Sequence, residues 1–380
     1  SKGKNEQCSI SANWNALHQT LRQEVEGETF LLVLDDVWLI NQSQWDDLVV
    51  PLNSAKKGSK IVMTSRSSNA VKINQGLLHQ YILQGLSDDD LWSLFKRCAF
   101  YGCSPQDYSL LEGDGRQIVK RLKGLPLAAK VIGNLLNTRL EVPYWREVGK
   151  SELLELERGD DGILPALGLS YQYLPGNLRQ CFAYCSLFPE DHDFDKTQLT
   201  RLWDAQCYSG REDIGNEYFD NLQCRSFFEP FKDGKYVMHD LIHDLAEHVS
   251  KDDCFRLNDK KSMEIPETVR HVSVYATRFD QAKLNQLRSR EKLRTLIFSP
   301  RCDFDGMTRG LDELLLKLKW LRVLGLPVCG ISELPSSVGD LKHLRYIDLA
   351  WNPFKNLPES LCDLYNLQVL DLSWCRSLVA

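Results

Sequence analysis

The sequence has no long apolar run, no surplus of positive charge and no C-x-x-C cysteine pair. No apolar segment approaches the roughly 18 residues that a membrane-spanning helix needs, and the first residues lack the pattern of a secretory signal. The net charge is −6, which argues against a general nucleic-acid binder because such proteins normally carry a basic surplus. None of the 12 cysteines lies in a C-x-x-C pair, which favours small core residues in a reducing cytosol over a disulfide framework.

What is present is ordinary globular material. The 380 residues are 43% hydrophobic and 26% charged, which is enough for two or three folded domains. The chain opens with Ser1 and a polar stretch, so we expect it to be a fragment.

The first part of the chain has the alternation of an α/β domain. Helical spacing of apolar residues predicts a helix over 11–25, and apolar runs predict strands at 30–34, 60–64 and 81–83. Helices that alternate with fully apolar strands predict a parallel sheet whose strands are buried.

Two adjacent carboxylates, Asp35 and Asp36, end the first apolar strand. This is the Walker B arrangement, in which the strand holds the acids at its carboxyl end, where ligands of α/β sheets bind. Asp35 would hold Mg²⁺, often through water, and Asp36 could polarise an attacking water. The alternative is a solvated turn after a strand.

The middle of the chain is helical from about 87 to 225, and the pattern then changes. Two short apolar runs flank Asp233-Gly234 in FFEPFKDGKYVM, which is a strong hairpin signal. A helix follows at once, with Leu241, Ile242 and Leu245 among its inner residues. Helices that end in a hairpin predict a winged-helix module at about 170–250; the alternative is an unrelated hairpin between helices.

The last third repeats every 23 residues with an LxxLxL pattern, which predicts leucine-rich repeats that bury their leucines in a solenoid. Weaker copies start at Val269 and Leu293. The positions that repeat are Leu321, Leu344 and Leu367; Leu324, Ile347 and Leu370; and Leu326, Leu349 and Leu372. Residues between the leucines should face outward on the concave side of the solenoid: Arg322, Arg345, Gln368 and Asp371.

Five segments in order, followed by these repeats, resemble plant intracellular immune receptors of the NB-ARC leucine-rich-repeat family: FLLVLDDVW, GSKIVMTSRS, GLPLA, CFAYCSLFPED and MHDLIHDLA. Trp38 after the acidic pair is typical of the coiled-coil class. The resemblance implies a multidomain chain with a partial α/β P-loop-type sheet, a helical domain, a winged-helix domain and an α/β leucine-rich-repeat solenoid. The expected boundaries are 1–86, 87–165 with the GLPL motif, 166–255 with the MHD motif, and 256–380 with about five repeats.

The resemblance implies a role for each nucleotide-site residue in the first domain. Asp35 is the magnesium ligand, Asp36 the catalytic acid and Arg66 the sensor of the terminal phosphate, a role that suits a guanidinium because its fork matches phosphate oxygens. Arg66 taken alone would more often be a surface charge.

Further roles follow for the GLPL and MHD motifs. Gly124, Leu125 and Pro126 correspond to the GLPL loop, whose proline packs on adenine. His239 corresponds to the MHD histidine, which contacts the β-phosphate of ADP, and it should stand at a helix start where N–H groups favour anions. We expect Asp35, Arg66, Pro126 and His239 to converge on one ADP pocket. Alone, Pro126 would be an ordinary helix start and His239 a satisfied histidine.

His239 and His243 are spaced as paired zinc ligands on one helix face. A zinc peptidase would have glutamate after the first histidine and a third ligand, and His248 lies off that face. The pattern therefore favours no metal site here, and magnesium at Asp35 is the expected metal.

The sequence has no GxxxxGK[ST] P-loop; Gly149-Lys150-Ser151 has the last three letters, but Tyr144 stands where the first glycine should be. The resemblance implies that the chain starts after the P-loop strand and lacks the coiled-coil domain. Each charge-assisted phosphate contact contributes about 1.5–3 kcal/mol, so loss of two or three would weaken ADP binding about 10³–10⁴-fold. We therefore expect weak ADP binding and negligible ATP hydrolysis.

The expected function is an ADP/ATP-binding switch in plant defence, with a pathogen effector or a host guard protein as partner of the repeats. The expected location is the cytoplasm, and the full-length family is expected to oligomerise. The alternative is an interaction module whose repeats bind a protein partner without nucleotide switching. The family often has WMAEG where this chain has WDAQC, Trp203 to Cys207, which puts the contact between this helix and the repeats in question.

Overall fold

The computed structural model describes residues 14–37, 42–66, 79, 81–154, 164–206, 214–259, 264–276, 279–300, 302 and 308–378. These residues divide into two compact units, one that ends at Gln84 and one that begins at Gly85. Within the described ranges, no helix is long and apolar enough to cross a membrane.

The first unit contains two helices and two strands: α1 (Trp14–Val25), β1 (Leu31–Leu34), α2 (Gln42–Val49) and β2 (Lys60–Met63). The strands pair in parallel, with Leu31 opposite Lys60 and Leu34 opposite Met63. The predicted parallel α/β arrangement of this region is therefore confirmed.

Two expectations for this unit are wrong. Leu31 and Val33 are 67% and 58% exposed, so β1 is not a buried strand. The physical reason is that β1 and β2 pair only with each other among the described residues, and two strands offer too little surface to enclose a core. Residues 81–83 form no strand and are exposed.

The second unit begins with a helical region that follows the predicted pattern. Ser87 is the N-cap of the first helix, and its side chain accepts a hydrogen bond from the backbone of Asp90 at 3.2 Å. Aromatic side chains pack together in the core; Phe100 and Trp145, for example, stack with ring centres 5.0 Å apart. The helices are α3 (Asp88–Ala99), α4 (Pro105–Tyr108), α5 (Glu112–Arg121), α6 (Pro126–Asn137), α7 (Val142–Lys150), α8 (Leu164–Gln172) and α9 (Gly176–Tyr184).

A winged-helix arrangement follows, as predicted. It comprises α10 (Lys196–Ala205), α11 (Gly215–Cys224), the hairpin strands β3 (Glu229–Pro230) and β4 (Tyr236–Val237), and α12 (Asp240–Ser250). Asp233 and Gly234 both have positive φ, at 55° and 73°, which is the backbone that a tight hairpin turn requires. Tyr236 also bridges Phe194, so a third segment joins the wing.

A six-stranded parallel sheet forms the last part, consistent with the start of a leucine-rich-repeat region. Its strands are β5 (Cys254–Asn258), β6 (His271–Tyr275), β7 (Thr295–Phe298), β8 (Val323–Gly325), β9 (Tyr346–Asp348) and β10 (Val369–Asp371), in chain order across the sheet. The helices α13 (Gln281–Arg288) and α14 (Thr308–Lys317) precede β7 and β8. Leu321, Leu324 and Leu326 are fully buried, as the repeat pattern predicts.

The repeat sheet contacts the winged-helix region through a buried polar cluster, which we call the junction. Thr295 Oγ1 lies 2.8 Å from Gln206 Nε2, 3.1 Å from Tyr184 Oη and 2.9 Å from His271 Nδ1. Arg322 donates to the Gln206 carbonyl at 2.7 Å. Arg322 therefore does not face an open concave surface. The segment WDAQC contacts the repeats through its glutamine, Gln206.

Candidate functional site

The carboxyl ends of β1 and β2 bring the predicted acids together with a threonine. Thr64 Oγ1 donates a short hydrogen bond to Asp35 Oδ1 and accepts one from the backbone N–H of Asp36 at 2.9 Å. Asp36 has a φ of +46°, a left-handed backbone that aspartate tolerates better than most residues. The turn therefore presents both carboxylates at the strand end, where a cation or a phosphate can approach.

Arg66 and Asp36 form a two-pronged ion pair. Arg66 Nε and Nη2 donate to the two oxygens of Asp36, each at 3.0 Å. Both side chains are 29% exposed. The residues predicted as phosphate sensor and catalytic acid are thus in direct contact, and the fork that would hold a phosphate holds a carboxylate.

Sequence reasoning did not assign a role to Thr64 and Ser65. Both occur in the quoted segment GSKIVMTSRS, directly before Arg66. Ser65 Oγ donates to the Val37 carbonyl at 2.7 Å, so each hydroxyl ties the end of β2 to the end of β1. The sequence feature that could have indicated this role is the pair of consecutive hydroxyl residues directly after an apolar strand.

The GLPL segment packs closely against the backbone of Gly85 and Leu86 and then begins α6. Gly124 has a φ of +81°, and a Cβ atom there would lie 2.8 Å from the Leu86 carbonyl oxygen. Leu86 N–H donates to the Gly124 carbonyl at 2.9 Å. Leu125 caps α6 and Pro126 is its first residue, where a missing N–H is tolerated. The glycine is therefore required by packing, and Pro126 is exposed.

His239 stands at the N-cap of α12, as predicted. Its Nδ1 accepts from the backbone N–H of Leu241 at 3.3 Å, and the residue is exposed. A neutral imidazole that accepts at Nδ1 carries its proton on Nε2, so it presents a donor toward solvent beside the N–H groups of the first helical turn.

His243 occupies a different environment, so the two histidines are not a ligand pair. His243 is buried, and its Nε2 lies 2.8 Å from the Phe188 carbonyl oxygen. Its ligand atom lies within 4.8 Å of carboxylate oxygens of Glu190 and Asp244. The guanidinium of Arg256 lies 3.4 Å from His243 Nε2, however, and this positive charge opposes a bound cation.

The chain resembles known proteins over most of its length. Residues 2–103 match the NB-ARC domain family, and residues 187–246 match the disease resistance protein winged helix domain. A candidate disease resistance protein of Arabidopsis thaliana is 39% identical over 348 residues, which cover 86% of this chain and 24% of that protein. RPP13-like protein 1 of the same species is 36% identical over 323 residues, covering 81% and 30%.

Disease resistance protein RGA2 of Solanum bulbocastanum is 37% identical over 337 residues, which cover 86% of this chain and 32% of that protein. The chain thus spans 24–32% of the length of these relatives. The matched domains agree with the order of motifs, and the chain belongs to the plant NB-ARC disease resistance proteins.

Proposed function

We propose that this chain is part of an ADP/ATP-binding molecular switch that acts in plant defence against pathogens. The observation that carries the proposal is the meeting of Asp35, Asp36 and Arg66 at the carboxyl ends of two parallel strands. Asp35 would hold a magnesium ion that neutralises phosphate charge. Asp36 would orient water, and Arg66 would report the terminal phosphate.

The ion pair between Arg66 and Asp36 supports a switch because a phosphate can replace Asp36 as the partner of the Arg66 guanidinium. Partly exposed ion pairs contribute only about 0–1 kcal/mol, whereas charge-assisted contacts to phosphate contribute about 1.5–3 kcal/mol. A terminal phosphate would therefore compete well for the guanidinium. Release of Asp36 would then follow from the arrival of the nucleotide.

The GLPL and MHD residues would supply the other contacts. Pro126 offers an exposed ring for adenine, and Gly124 and Leu125 set the loop that carries it. His239 offers an N–H donor and a helix start, which together favour a phosphate oxygen. In this proposal ADP binding by His239 holds the receptor closed. Convergence of these residues with Asp35 and Arg66 stays a prediction.

A second candidate function is an interaction module whose repeats bind a pathogen effector or host protein without nucleotide switching. These 380 residues contain no GxxxxGK[ST] motif, so this candidate concerns the present stretch of chain taken by itself. Loss of these phosphate contacts would lower affinity about 10³–10⁴-fold. Hydrolysis would also lack the lysine that offsets phosphate charge.

Calorimetric titration of the 380-residue chain with ADP and magnesium separates the two candidates. We expect weak binding that requires magnesium and that weakens further in Asp35→Asn and His239→Ala. The matched control Asp47→Asn removes an exposed acid of α2 and should leave the affinity unchanged. Binding that survives both site substitutions overturns the assigned site, and no binding at millimolar ADP favours the interaction module.

A further inference from the structure

Two tryptophans of successive repeats stack on the surface of the repeat sheet. Trp351 and Trp374 are 23 residues apart, and their rings lie 4.8 Å apart at 16°. Both have a φ of +61°, and Trp351 N–H donates to the Ser373 carbonyl at 2.9 Å. The repeated turn therefore sets both indoles at equivalent positions, where they are 52% and 57% exposed.

Two aspartates lie three residues before these indoles, in register on neighbouring strands. Asp348 of β9 pairs with Asp371 of β10. Alternation along β9 puts Asp348 on the face opposite Ile347, which belongs to the leucine core. Asp348 and Asp371 accept from the backbone N–H groups of Ala350 and Ser373, at 3.0 and 2.8 Å. The acids therefore lie on the face opposite the leucine core, three residues before the exposed indoles.

No ion pair compensates these two carboxylates within the part of the chain that the structure describes. Burial and the charge of Asp371 raise the pKa of Asp348 to about 6. Like charges directly opposite each other on neighbouring strands are destabilising. The two carboxylates therefore repel each other, and a cation bound from solvent would reduce this repulsion.

The winged-helix region covers only the near part of this face. Tyr346 and Val369 precede the two acids on the same face and pack with the core that contains the winged-helix residues. Beyond them, Trp351 and Trp374 have no such cover. Asp348 is buried at 7% exposure and Asp371 is half-buried, so the open area combines two exposed aromatic rings with one accessible carboxylate, that of Asp371.

We infer that Trp351, Trp374 and Asp371 form a docking surface for a cationic side chain, arginine or lysine, of a partner protein, with the buried carboxyl group of Asp348 beneath it. Indole rings attract cations through their negative faces, and carboxylates hold guanidinium or ammonium groups through charge-assisted hydrogen bonds. The guanidinium of Arg376 already lies 5.2 Å from the ring centre of Trp374, so a partner's cation would meet the exposed ring of Trp351 or displace Arg376. An apolar partner would not need the acids, and an anionic one would be repelled by them.

The test uses the 380-residue chain labelled with 5-fluorotryptophan and observed by fluorine NMR. Resonances of the two indoles are assigned with Trp351→Phe and Trp374→Phe. The probes are the peptide acetyl-Gly-Gly-Arg-Gly-Gly-amide and the same peptide with citrulline, which keeps the shape of arginine without its charge. We expect saturable shifts of both resonances, with affinity about fivefold higher for the arginine peptide.

Two variants assign the charge effect. Asp371→Asn keeps an acceptor for Ser373 and should lower the affinity for arginine to that for citrulline. Glu359→Gln removes an exposed acid of the 3₁₀ turn Glu359–Asp363 and should change nothing. Circular dichroism verifies that each variant is folded.

Equal affinity for both peptides, or the absence of shifts at these indoles, would overturn the inference. Shifts that follow protein concentration rather than peptide would assign the surface to a second copy of the chain and also overturn it. No nucleotide is present in the experiment, so its result is independent of the proposed switch.

Discussion

Single residues of this chain are constrained by backbone contacts as much as by chemistry. Gly124 is the clearest case, because its positive φ and the nearby Leu86 carbonyl both exclude a side chain. The GLPL motif, which indicates a nucleotide contact, therefore contains a glycine that close backbone packing requires. A loss of function in a Gly124 variant would not by itself identify a ligand contact.

Substitution Gly124→Ala should destabilise the second unit strongly, and Gly102→Ala provides the matched control. Gly102 also has a positive φ, at +77°, but nothing lies within 4 Å of its Cβ position. We expect about 1–2 kcal/mol for the control from backbone strain alone, and about 3 kcal/mol or more for Gly124→Ala because a clash is added. Urea denaturation measures both, and equal losses would contradict the close crossing.

At the scale of elements, the junction connects winged helix and repeats through hydrogen bonds that are mutually dependent. A hydroxyl donates once, so Thr295 can accept from Gln206 and Tyr184 while it donates to Nδ1 of His271. This assignment requires neutral His271. Burial, together with the charges of nearby arginines, lowers the pKa of His271 to about 3, which agrees with the neutral form.

Acidification should weaken the junction. The folded pKa of His271 lies below the ordinary histidine value of 6.5, so its stabilising contribution is present above that value and is lost as pH falls toward the folded pKa. The loss approaches about 1.4 kcal/mol per pH unit well below the unfolded pKa. Burial raises the pKa of Asp253, whose Oδ2 lies 3.6 Å from His271 Nε2, so Asp253 adds a pH dependence of its own and the native chain has to be compared with a variant.

His271→Gln supplies that difference because glutamine retains an acceptor and does not titrate. Denaturation midpoints at pH 7.5, 6 and 5 should show a steeper decline for the native chain than for the variant, as the unfolded histidine takes up its proton. Parallel declines would show that His271 does not carry the pH dependence.

For the whole molecule, the two units differ in how much apolar surface each encloses. The first has β1 and β2 with exposed Leu31 and Val33, whereas the second has fully buried residues such as Phe95 and Trp203. Regions with few buried apolar contacts open more readily than well-packed cores. The candidate site of Asp35 and Arg66 thus lies in the less protected unit.

Hydrogen exchange should resolve the two units. Amides of residues 30–37 and 60–66 should exchange at least about 100-fold faster than those of α3 and α6. Mass spectrometry of peptides from the native chain measures this directly. Similar protection in both units would contradict the difference in packing.

Much of the fold followed from local patterns. The 23-residue spacing of Leu321, Leu344 and Leu367 predicted stacked repeats, because each repeat buries its leucines against the next. Asp233-Gly234 predicted the hairpin because few residues adopt positive φ. The strand at 81–83 was wrong, since an apolar run alone does not supply a neighbouring strand.

The sequence by itself determined the family, the order of domains and the acids at the end of β1, because motif spacing and periodicity are local properties of the chain. Only the tertiary structure decided that Arg66 pairs with Asp36 and that Thr64 forms hydrogen bonds with both acidic residues. It also decided that Arg322 donates to the carbonyl of Gln206. These contacts join residues that are far apart along the chain. They depend on strand register and side-chain direction, which no local pattern encodes.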